Sequence, residues 1–537
     1  MKKLLAILLS LIMCFATTLC VTACGGGSSD SEDVDASKTQ FYLGIYDGGL
    51  GTDWANKVKA EFEAKYADVE FEPGTGKRGV QVLIRPDKLG YEPDTLVANI
   101  QSGVETCDVY LTANNQYYKF IQNGVAEDIT ELLTEKVYDE NGELSDNGTV
   151  SLLDRTDDYF VNTFKWKDGK YYGFPFEDSL QGFIYDEDLF NERRWTVPTT
   201  MSDFYKLIAR MANSSVTPFT WTGANDFYFT CLTTAIVAQY EGVNGVNAYK
   251  TYTGTLDSDN YYYDSANAAN NAITERNAWK LAGNRGNLEA LKFLREITKD
   301  ARYYSSFAFG GSQSHLIAQQ EFLSSIVKES NTGSGRIAML LDGEWWENEA
   351  RGYFGEMASI DENYGYGKRN FKFLPMPAID GQKSDKRTVV SFSSGSIGFV
   401  STKAARKDIA KLWIQFMHQN SQLTTFTTTT GSSLPYKYTL SDEAYASLTP
   451  FAKSVWDVKH DENVEIIRGT GKCDFATFGG TRLGGLGSEI STSDATNALR
   501  AFYNDKNLTA QKYFEKSMDY CNETEWERVY KIFYPNN

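Results

Sequence analysis

Histidine and cysteine, the side chains that most often supply metal ligands, nucleophiles and proton relays, are scarce in this chain. Its 537 residues include 3 His and 7 Cys. The histidines, His315, His418 and His460, stand far apart in the sequence. This composition disfavours zinc chemistry and a histidine-based relay. We therefore expect no resident metal. We also expect no cofactor and no catalytic residues, since no segment pairs a carboxylate with a recognisable hydrolase motif.

Two local motifs approach known binding loops but lack their essential residues. Gly479–Gly485 is rich in glycine, yet it lacks the Gly-Lys-Ser/Thr ending of a phosphate-binding loop. Tyr138–Leu144 alternates acidic residues without the glutamate that closes a calcium loop at position 12. Because Asn141-Gly142 is a favoured turn pair, this second segment is predicted to form a hairpin.

The abundant side chains are aromatic rings and carboxylates. Tyr 33, Phe 32 and Trp 10 together make 14% of the chain, and Asp plus Glu number 71 against 53 Lys plus Arg. The formal charge of −18 disfavours nucleic acid as a partner, since that binding rests on basic side chains neutralising phosphates. The composition indicates a globular protein and leaves the surplus of rings unexplained.

The first part of the chain alternates between strand and helix patterns. Strands are predicted at Phe41–Tyr46, Val69–Phe71, Val80–Ile84 and Asp108–Leu111. Between them, Trp54, Val58, Phe62 and Tyr66 mark a helix capped by Thr52 or Asp53, and further helices are predicted at Asp94–Gln101 and Gln116–Gln122. Such alternation predicts βαβ units and a largely parallel sheet.

The remainder is richer in helix. Helices are predicted from Ser202 to Ala212, from Lys411 to Met417 and in the tail, at Ala444–Val458 and Ala498–Tyr530, with strands at Arg336–Leu341 and Ser396–Ser401. The length suits several domains, each large enough to bury a core.

The N-terminus reads as a secretory signal with a lipid-attachment site. Lys2 and Lys3 precede an apolar run, and Val21-Thr22-Ala23-Cys24 resembles a bacterial lipobox. We predict a signal peptide over 1–23, acylation of Cys24 and a flexible tether over 24–39, ordinary cleavage with unmodified Cys24 being the alternative. Removal of the signal leaves 51 basic against 71 acidic residues, a charge of −20.

Four cysteines remain after Cys24, at Cys107, Cys231, Cys473 and Cys521. They permit three full disulfide pairings, and spacing does not choose among them. Since a chain of this length needs no disulfide scaffold, we expect buried free thiols.

Several phrases, in this order, resemble one family, the extracellular solute-binding lipoproteins of carbohydrate ABC importers (family 1), relatives of maltose-binding protein. They extend over residues 40 to about 440 and are Cys107–Leu111 with Tyr117–Ile129, Asp168–Pro175, Ile184–Phe190 with Val197–Thr200, Gly335–Met339 with Asp342–Trp345, Leu374–Pro377, and the strand–helix pattern from Gly395 to Met417.

The resemblance implies a two-lobed α/β fold of the periplasmic-binding-protein type (type II), with discontinuous lobes and a ligand cleft between them. We expect lobe one at 40–178 plus 385–450 and lobe two at 179–384 plus 451–537. The implied function is capture of a carbohydrate, an oligosaccharide, by hinge closure and its delivery to the transmembrane subunits of an ABC permease. The implied protein is a monomer held at the outer face of a bacterial membrane.

A sugar needs aromatic faces for stacking and carboxylates or amides for its hydroxyls. The resemblance points to Trp345 as a stacking platform and to Glu177 as a hydroxyl-binding carboxylate. Other candidates follow predicted strands or lie in similar segments: Glu344, Trp346, Asp178, Asn114, Asn115, Trp221, Tyr228, Tyr46 and Asp47. Weaker candidates are Arg468, Phe475 and Arg482, in or beside a glycine-rich loop without a match.

Three other functions stay open. An acidic pocket in the same fold also suits a peptide or a polyamine. A surface glycoside hydrolase needs paired carboxylates about 5–10 Å apart, and acidic residues are abundant. A non-transport adhesin or sensor partner is the third alternative.

Overall fold

Two large β-sheets, beside a small two-stranded one, organise the described part of the chain in the computed structural model. The structure describes residues 33–113, 117–225, 228–252, 254, 272–382, 386–391, 396–468 and 497–535. Cys24, Asn114, Asn115, Cys473, Phe475, Arg482 and most of the signal and tether lie outside these residues.

Thirteen strands are described, and most are short and buried on both faces. They are β1 (Thr39–Tyr46), β2 (Val80–Asp87), β3 (Val109–Thr112), β4 (Lys136–Tyr138), β5 (Val150–Ser151), β6 (Phe174–Pro175), β7 (Leu180–Asp186), β8 (Thr217–Thr220), β9 (Ile337–Gly343), β10 (Phe371–Leu374), β11 (Arg387–Ser391), β12 (Ile397–Val400) and β13 (Val464–Arg468).

The α-helices cover the faces of the two larger sheets. They are α1 (Asp53–Lys65), α2 (Pro93–Ser102), α3 (Tyr117–Gln122), α4 (Thr130–Thr134), α5 (Leu152–Arg155), α6 (Asp158–Phe164), α7 (Glu187–Arg193), α8 (Met201–Asn213), α9 (Phe229–Thr251), α10 (Arg285–Thr298), α11 (His315–Thr332), α12 (Trp346–Glu349), α13 (Arg351–Ala358), α14 (Lys407–Met417), α15 (Asn420–Thr430), α16 (Asp442–Ser447), α17 (Pro450–His460), α18 (Ala498–Asn504), α19 (Ala510–Tyr520) and α20 (Glu523–Phe533).

The first sheet has the strand order β2-β1-β3-β12-β6. β1 runs parallel to β2 and β3, as the βαβ pattern predicts, whereas β12 is antiparallel to β3 and β6. Its core packs rings of β1, α1 and α14 together, with Trp413 5.2 Å from Phe62 and 5.9 Å from Phe41 between ring centroids. This sheet and its helices form lobe one.

The second sheet has the order β13-β11-β7-β9-β8, with β10 on the other part of β7. β7 is antiparallel to β9, β10 and β11, and two other pairs are parallel. The expectation of a largely parallel sheet is therefore wrong for this half. β7 enters this sheet from lobe one and runs antiparallel to each of its neighbours, whereas β13, the first strand after the chain next returns from lobe one, runs parallel to β11. Local strand–helix alternation predicts neither direction.

Over the residues that the structure describes, the chain crosses between the two large sheets three times. It leaves the first sheet after Pro175, returns between Ser391 and Ile397, and leaves again between Thr430 and Pro450. The boundary expected at residue 385 is wrong, because β11 pairs with β7 and β13 in the second sheet.

Several local expectations also change. Residues 69–71 form no strand, and the helix expected over Ala444–Val458 is broken at Leu448 before Pro450. Thr200 caps α8 in place of Ser202. The expected tether does not reach residue 39, because the Asp35 amide donates to Gln81 Oε1 at 2.7 Å and Thr39 is a buried residue of β1.

Candidate functional site

A cavity of about 310 Å³ lies between the lobes, at the ends of strands from both sheets. Lobe one contributes the ends of β1 and β3 and the start of α1, whereas lobe two contributes β7, the start of α11 and the turn after β9. The lining residues are Tyr46, Gly48, Gly49, Leu50, Gly51, Trp54, Ala113, Phe176, Glu177, Gln181, Asn225, Tyr228, His315, Trp345 and Glu349. Crevices at such strand ends are the usual ligand sites of α/β sheets.

Trp345 is positioned by glycines on both sides of the cleft. It follows the fully buried strand β9, and its indole lies over Gly343 of that strand and against Gly49 of lobe one. A Cβ at Gly49 would come within 2.6 Å of the indole Cδ1. The absence of side chains at these glycines therefore lets a large ring sit between the two lobes.

Two tyrosines add aromatic surface and hydroxyl groups. Tyr46 ends β1 and folds back over Gly48, and Tyr228 lies at the start of α9 with its ring perpendicular to Trp345 at 6.4 Å. Burial first and nearby carboxylates second raise the pKa of both phenols. Both hydroxyls therefore stay protonated at neutral pH and are able to donate hydrogen bonds.

Glu177 is a buried carboxylate at the first crossing between the lobes. It is 8% exposed, and it accepts hydrogen bonds from the hydroxyls of Ser179 and Ser396. Ser179 belongs to the same crossing and Ser396 to the second one. Burial raises the pKa of Glu177, because it disfavours the charged form. A hydrogen bond donated by a ligand hydroxyl would stabilise that charged carboxylate.

Glu349 belongs to a polar cluster beneath the lobe-two side of the cleft. Gln319 Nε2 donates to Glu349 Oε2 at 2.7 Å and to Asp342 Oδ2 at 3.0 Å. His315 Nε2 lies 3.5 Å from Glu349 Oε1, and this carboxylate raises the pKa of the imidazole. Burial raises the pKa of Asp342 to about 7. The cluster therefore holds the oxygens of Glu349 in place at the cavity wall.

The structure brings four of the predicted residues together at the cavity: Trp345, Tyr46, Tyr228 and Glu177. Trp346 and Trp221 are wrong as cleft residues. Trp346 is fully buried against Phe371 at 5.1 Å, and Trp221 packs perpendicular to Phe229 at 4.8 Å. Both indoles fill the core of lobe two.

Three acidic candidates have other partners and do not line the cavity. Asp178 accepts a bidentate hydrogen bond from Arg468 at 2.7–3.1 Å. Arg468, a weaker ligand candidate, is therefore engaged in this pair as well. Glu344 accepts from Lys459 Nζ at 2.9 Å and from the Leu180 amide at 2.7 Å. Asp47 pairs with the exposed Lys88 at 2.5 Å. Asn114 and Asn115 lie outside the described residues.

Six polar or aromatic lining side chains were missed, besides the aliphatic Leu50 and Ala113. His315, Glu349, Gln181, Asn225, Trp54 and Phe176 reach the cavity from five different segments. For His315, one indication was available in the sequence: Ser314 is a favoured helix-capping residue and marks a helix start at His315. Its hydroxyl caps α11 by accepting from the Ile317 amide. Glu349 stands four residues after Trp345, one helical turn on.

Within the described ranges, no group of three or more His, Cys, Asp or Glu side chains is arranged to hold a metal ion. In the same residues, no helix is both long and apolar enough to span a membrane. Cys107, Cys231 and Cys521 are buried free thiols, as expected.

Known proteins share this fold. A family model described as bacterial extracellular solute-binding protein matches residues 61–449. No curated protein matches the chain. Among solved structures, the solute-binding protein RafE in complex with raffinose is 16% identical and superposes with a TM-score of 0.51, covering 87% of this chain and 99% of its own.

Two further structures are similar over nearly their whole length. A chitin oligosaccharide binding protein is 15% identical with a TM-score of 0.57, covering 92% of this chain and 99% of its own. A protein of xylan utilization in the thermophilic bacterium Caldanaerobius polysaccharolyticus is 15% identical with a TM-score of 0.55, covering 90% and 100%. With the family match over most of its length and its two-lobed fold, this chain is a member of the bacterial extracellular solute-binding protein family.

Proposed function

We propose that this protein captures a carbohydrate between its lobes and delivers it to an ABC permease. The observation that carries the proposal is the interlobe cavity, where the rings of Trp345, Tyr46 and Tyr228 stand beside the carboxylates Glu177 and Glu349. Rings match the apolar faces of a pyranose, and carboxylates accept from its hydroxyls. The names of structural relatives support the same ligand class, since they include a raffinose complex and a chitin oligosaccharide binder.

The ligand would be captured by hinge closure of the two lobes. A ligand that contacts both walls has a higher affinity for the closed form and shifts the population toward it. Following strand pairing and core packing, we assign the described residues within 40–178 and 396–437 to lobe one, and those within 179–391 and 450–535 to lobe two. A closed cleft of about 310 Å³ suits a few sugar units at most.

A thermal-shift screen tests the ligand class. The chain from residue 33 onward is heated with raffinose, xylan-derived oligosaccharides and chitin oligosaccharides, each at a concentration that saturates a micromolar site. A ligand at one hundred times its dissociation constant adds about 2.7 kcal/mol to the free energy of unfolding. We expect at least one sugar to raise the melting temperature. The absence of any shift counts against the proposal.

A cationic solute is the second candidate. The described lining residues include two carboxylates and one histidine but no Lys or Arg. A polyamine would find aromatic faces and negative charge there. Adding spermidine and a basic peptide to the same screen separates this candidate from a neutral sugar.

Membrane attachment through Cys24 is part of the proposal. It rests on the lipobox resemblance at Val21–Cys24. In a bacterial host, the wild-type chain should fractionate with membranes and the Cys24→Ala variant should not. Equal membrane association of both forms would remove the anchor from the account. We propose a monomer, which light scattering checks directly.

A further inference from the structure

The segment from Trp345 to Arg351 also bonds to lobe one through two side chains that do not line the cavity. Asn348 Nδ2 donates to the Gly49 carbonyl oxygen at 2.7 Å. Gly49 lies in the loop between β1 and α1 of lobe one, whereas Asn348 belongs to α12 of lobe two. This hydrogen bond therefore joins the two lobes directly.

Arg351 makes a second link between the lobes. Its Nη2 donates to the Thr429 carbonyl oxygen at 2.6 Å, in the last turn of α15 on lobe one. A cation is favoured there, because carbonyl oxygens at a helix C-terminus carry partial negative charge. The guanidinium also lies 4.7 Å from the Tyr366 ring of its own lobe, which orients it toward its partner. The 3.9 Å pair with the exposed Asp53 adds little.

The same short segment carries two walls of the cavity. Trp345 and Glu349 line it, whereas Asn348 and Arg351 do not. The turn is fixed in lobe two because Trp346 is fully buried and Glu347 accepts from Thr449 Oγ1 at 2.5 Å. A ligand seated on Trp345 and the contacts to lobe one therefore depend on the position of one rigid element.

We infer that Asn348 and Arg351 form a latch that holds the lobes closed and sets ligand affinity without contacting the ligand. This inference rests on the proposed function. Opening the cleft would separate Asn348 from Gly49 and Arg351 from Thr429, so both hydrogen bonds favour only the closed form. Ligand affinity scales with the fraction of molecules that is competent to close. Both are positioning residues.

The test uses Asn348→Ala and Arg351→Ala, with Asn363→Ala and Arg276→Ala as matched controls. Asn363 bonds only within its own turn, to Asp361, and Arg276 pairs with Glu527 inside lobe two. Dissociation constants and dissociation rates are measured by surface plasmon resonance for raffinose, xylan-derived oligosaccharides and chitin oligosaccharides. Loss of one hydrogen bond should weaken binding about two- to tenfold, mainly through faster dissociation.

The distinguishing result is that the factor is the same for every sugar that binds. A residue in contact with ligand would change the ratio between sugars, and such a change overturns the latch. Unchanged affinity in both variants also overturns it.

Small-angle scattering of the ligand-free proteins measures lobe closure without any sugar. The Asn348→Ala, Arg351→Ala double variant should have a larger radius of gyration than wild type and than the doubly substituted control. An identical radius of gyration overturns the inference. Failure of the proposed function is different, because wild-type protein would then bind none of the sugars whatever the scattering shows.

Discussion

The indole of Trp345 in lobe two lies against the backbone of Gly49 in lobe one, close enough that a Cβ at Gly49 would meet Cδ1 at 2.6 Å. The ring that walls the cavity is therefore also a contact surface between the lobes. Binding and closure share one side chain.

Trp345→Ala should abolish the main stacking face. Large buried aromatic contacts dominate binding energies, so we expect the dissociation constant of the best sugar to rise at least about tenfold. Because the indole is only half-buried, the ligand-free protein should lose little stability. Calorimetric titration measures the first effect and urea unfolding the second. Wild-type affinity in this variant would remove Trp345 from the site.

Trp346→Ala should mainly lower the stability of the fold, whereas Trp345→Ala should mainly weaken sugar binding. This indole is fully buried among Phe322, Phe371 and Phe451. Removing it leaves a large cavity and should lower the free energy of unfolding by about 3–5 kcal/mol. Urea unfolding monitored by circular dichroism gives this value. A stability equal to that of Trp345→Ala would contradict the placement of the two rings.

Gly49→Ala should hinder closure without changing any side chain that offers hydrogen bonds. The added methyl group must displace Trp345 or hold the lobes apart, so affinity should fall about fivefold or more. Gly355→Ala is the matched control, since a Cβ there meets no atom within 4 Å. Equal affinities in the two variants would show that the contact does not limit closure.

Asp178→Asn tests the ion pair beside the first crossing. Arg468 is largely buried, and its guanidinium would lose a bidentate charged partner; among the described residues it would keep Asp157, at 3.7 Å, as its charged partner. Breaking a buried pair from one side should cost about 3 kcal/mol of stability. Asp158→Asn, which breaks the exposed pair with Lys437, should cost less than about 1 kcal/mol. Similar losses in both variants would contradict the burial of the first pair.

Asp342→Asn should flatten the dependence of stability on pH. Burial raises the pKa of Asp342 from 3.8 to about 7, so the folded state binds this proton more tightly than the unfolded state does. Stability must therefore fall as the pH rises through that interval. His315, which faces Glu349, also has a raised pKa, and it changes stability in the same direction. Its contribution to stability is lost as the pH rises through the folded-state pKa.

The measurement is urea unfolding at pH 5 and pH 8. Asp342→Asn should be at least about 1 kcal/mol more stable than wild type at pH 8 and nearly equal to it at pH 5. The new amide also suits Gln319, whose Oε1 is buried and has no hydrogen-bond partner among the described residues. The exposed Asp380→Asn is the control. If Asp342→Asn is less stable than wild type at pH 8, the raised pKa of Asp342 is contradicted.

Strand ends were the part of the site that local patterns predicted. The apolar run before Asp342 and the run ending at Tyr46 locate the ends of β9 and β1, and both place a ring at the cavity. Local patterns did not distinguish Trp345 from Trp346, because the difference depends on where α12 begins, and only the family resemblance pointed to Trp345. Both residues follow the same strand.

Long-range pairing explains most of the other differences. β11 is a short run whose sheet is decided by partners almost 80 residues later and over 200 residues earlier, in β13 and β7. His315 reaches Glu349 only because α11 packs beside β9. Asp178 and Glu344 looked like ligand carboxylates, yet Arg468 and Lys459 come from distant elements to neutralise them.

The most direct test of the account is calorimetric titration of the chain from residue 33 onward with raffinose, xylan-derived oligosaccharides and chitin oligosaccharides, run beside Trp345→Ala. The account predicts saturable one-to-one binding of at least one sugar to wild-type protein and binding at least about tenfold weaker in the variant. Absence of binding by all three sugars, or equal binding by both proteins, would contradict it.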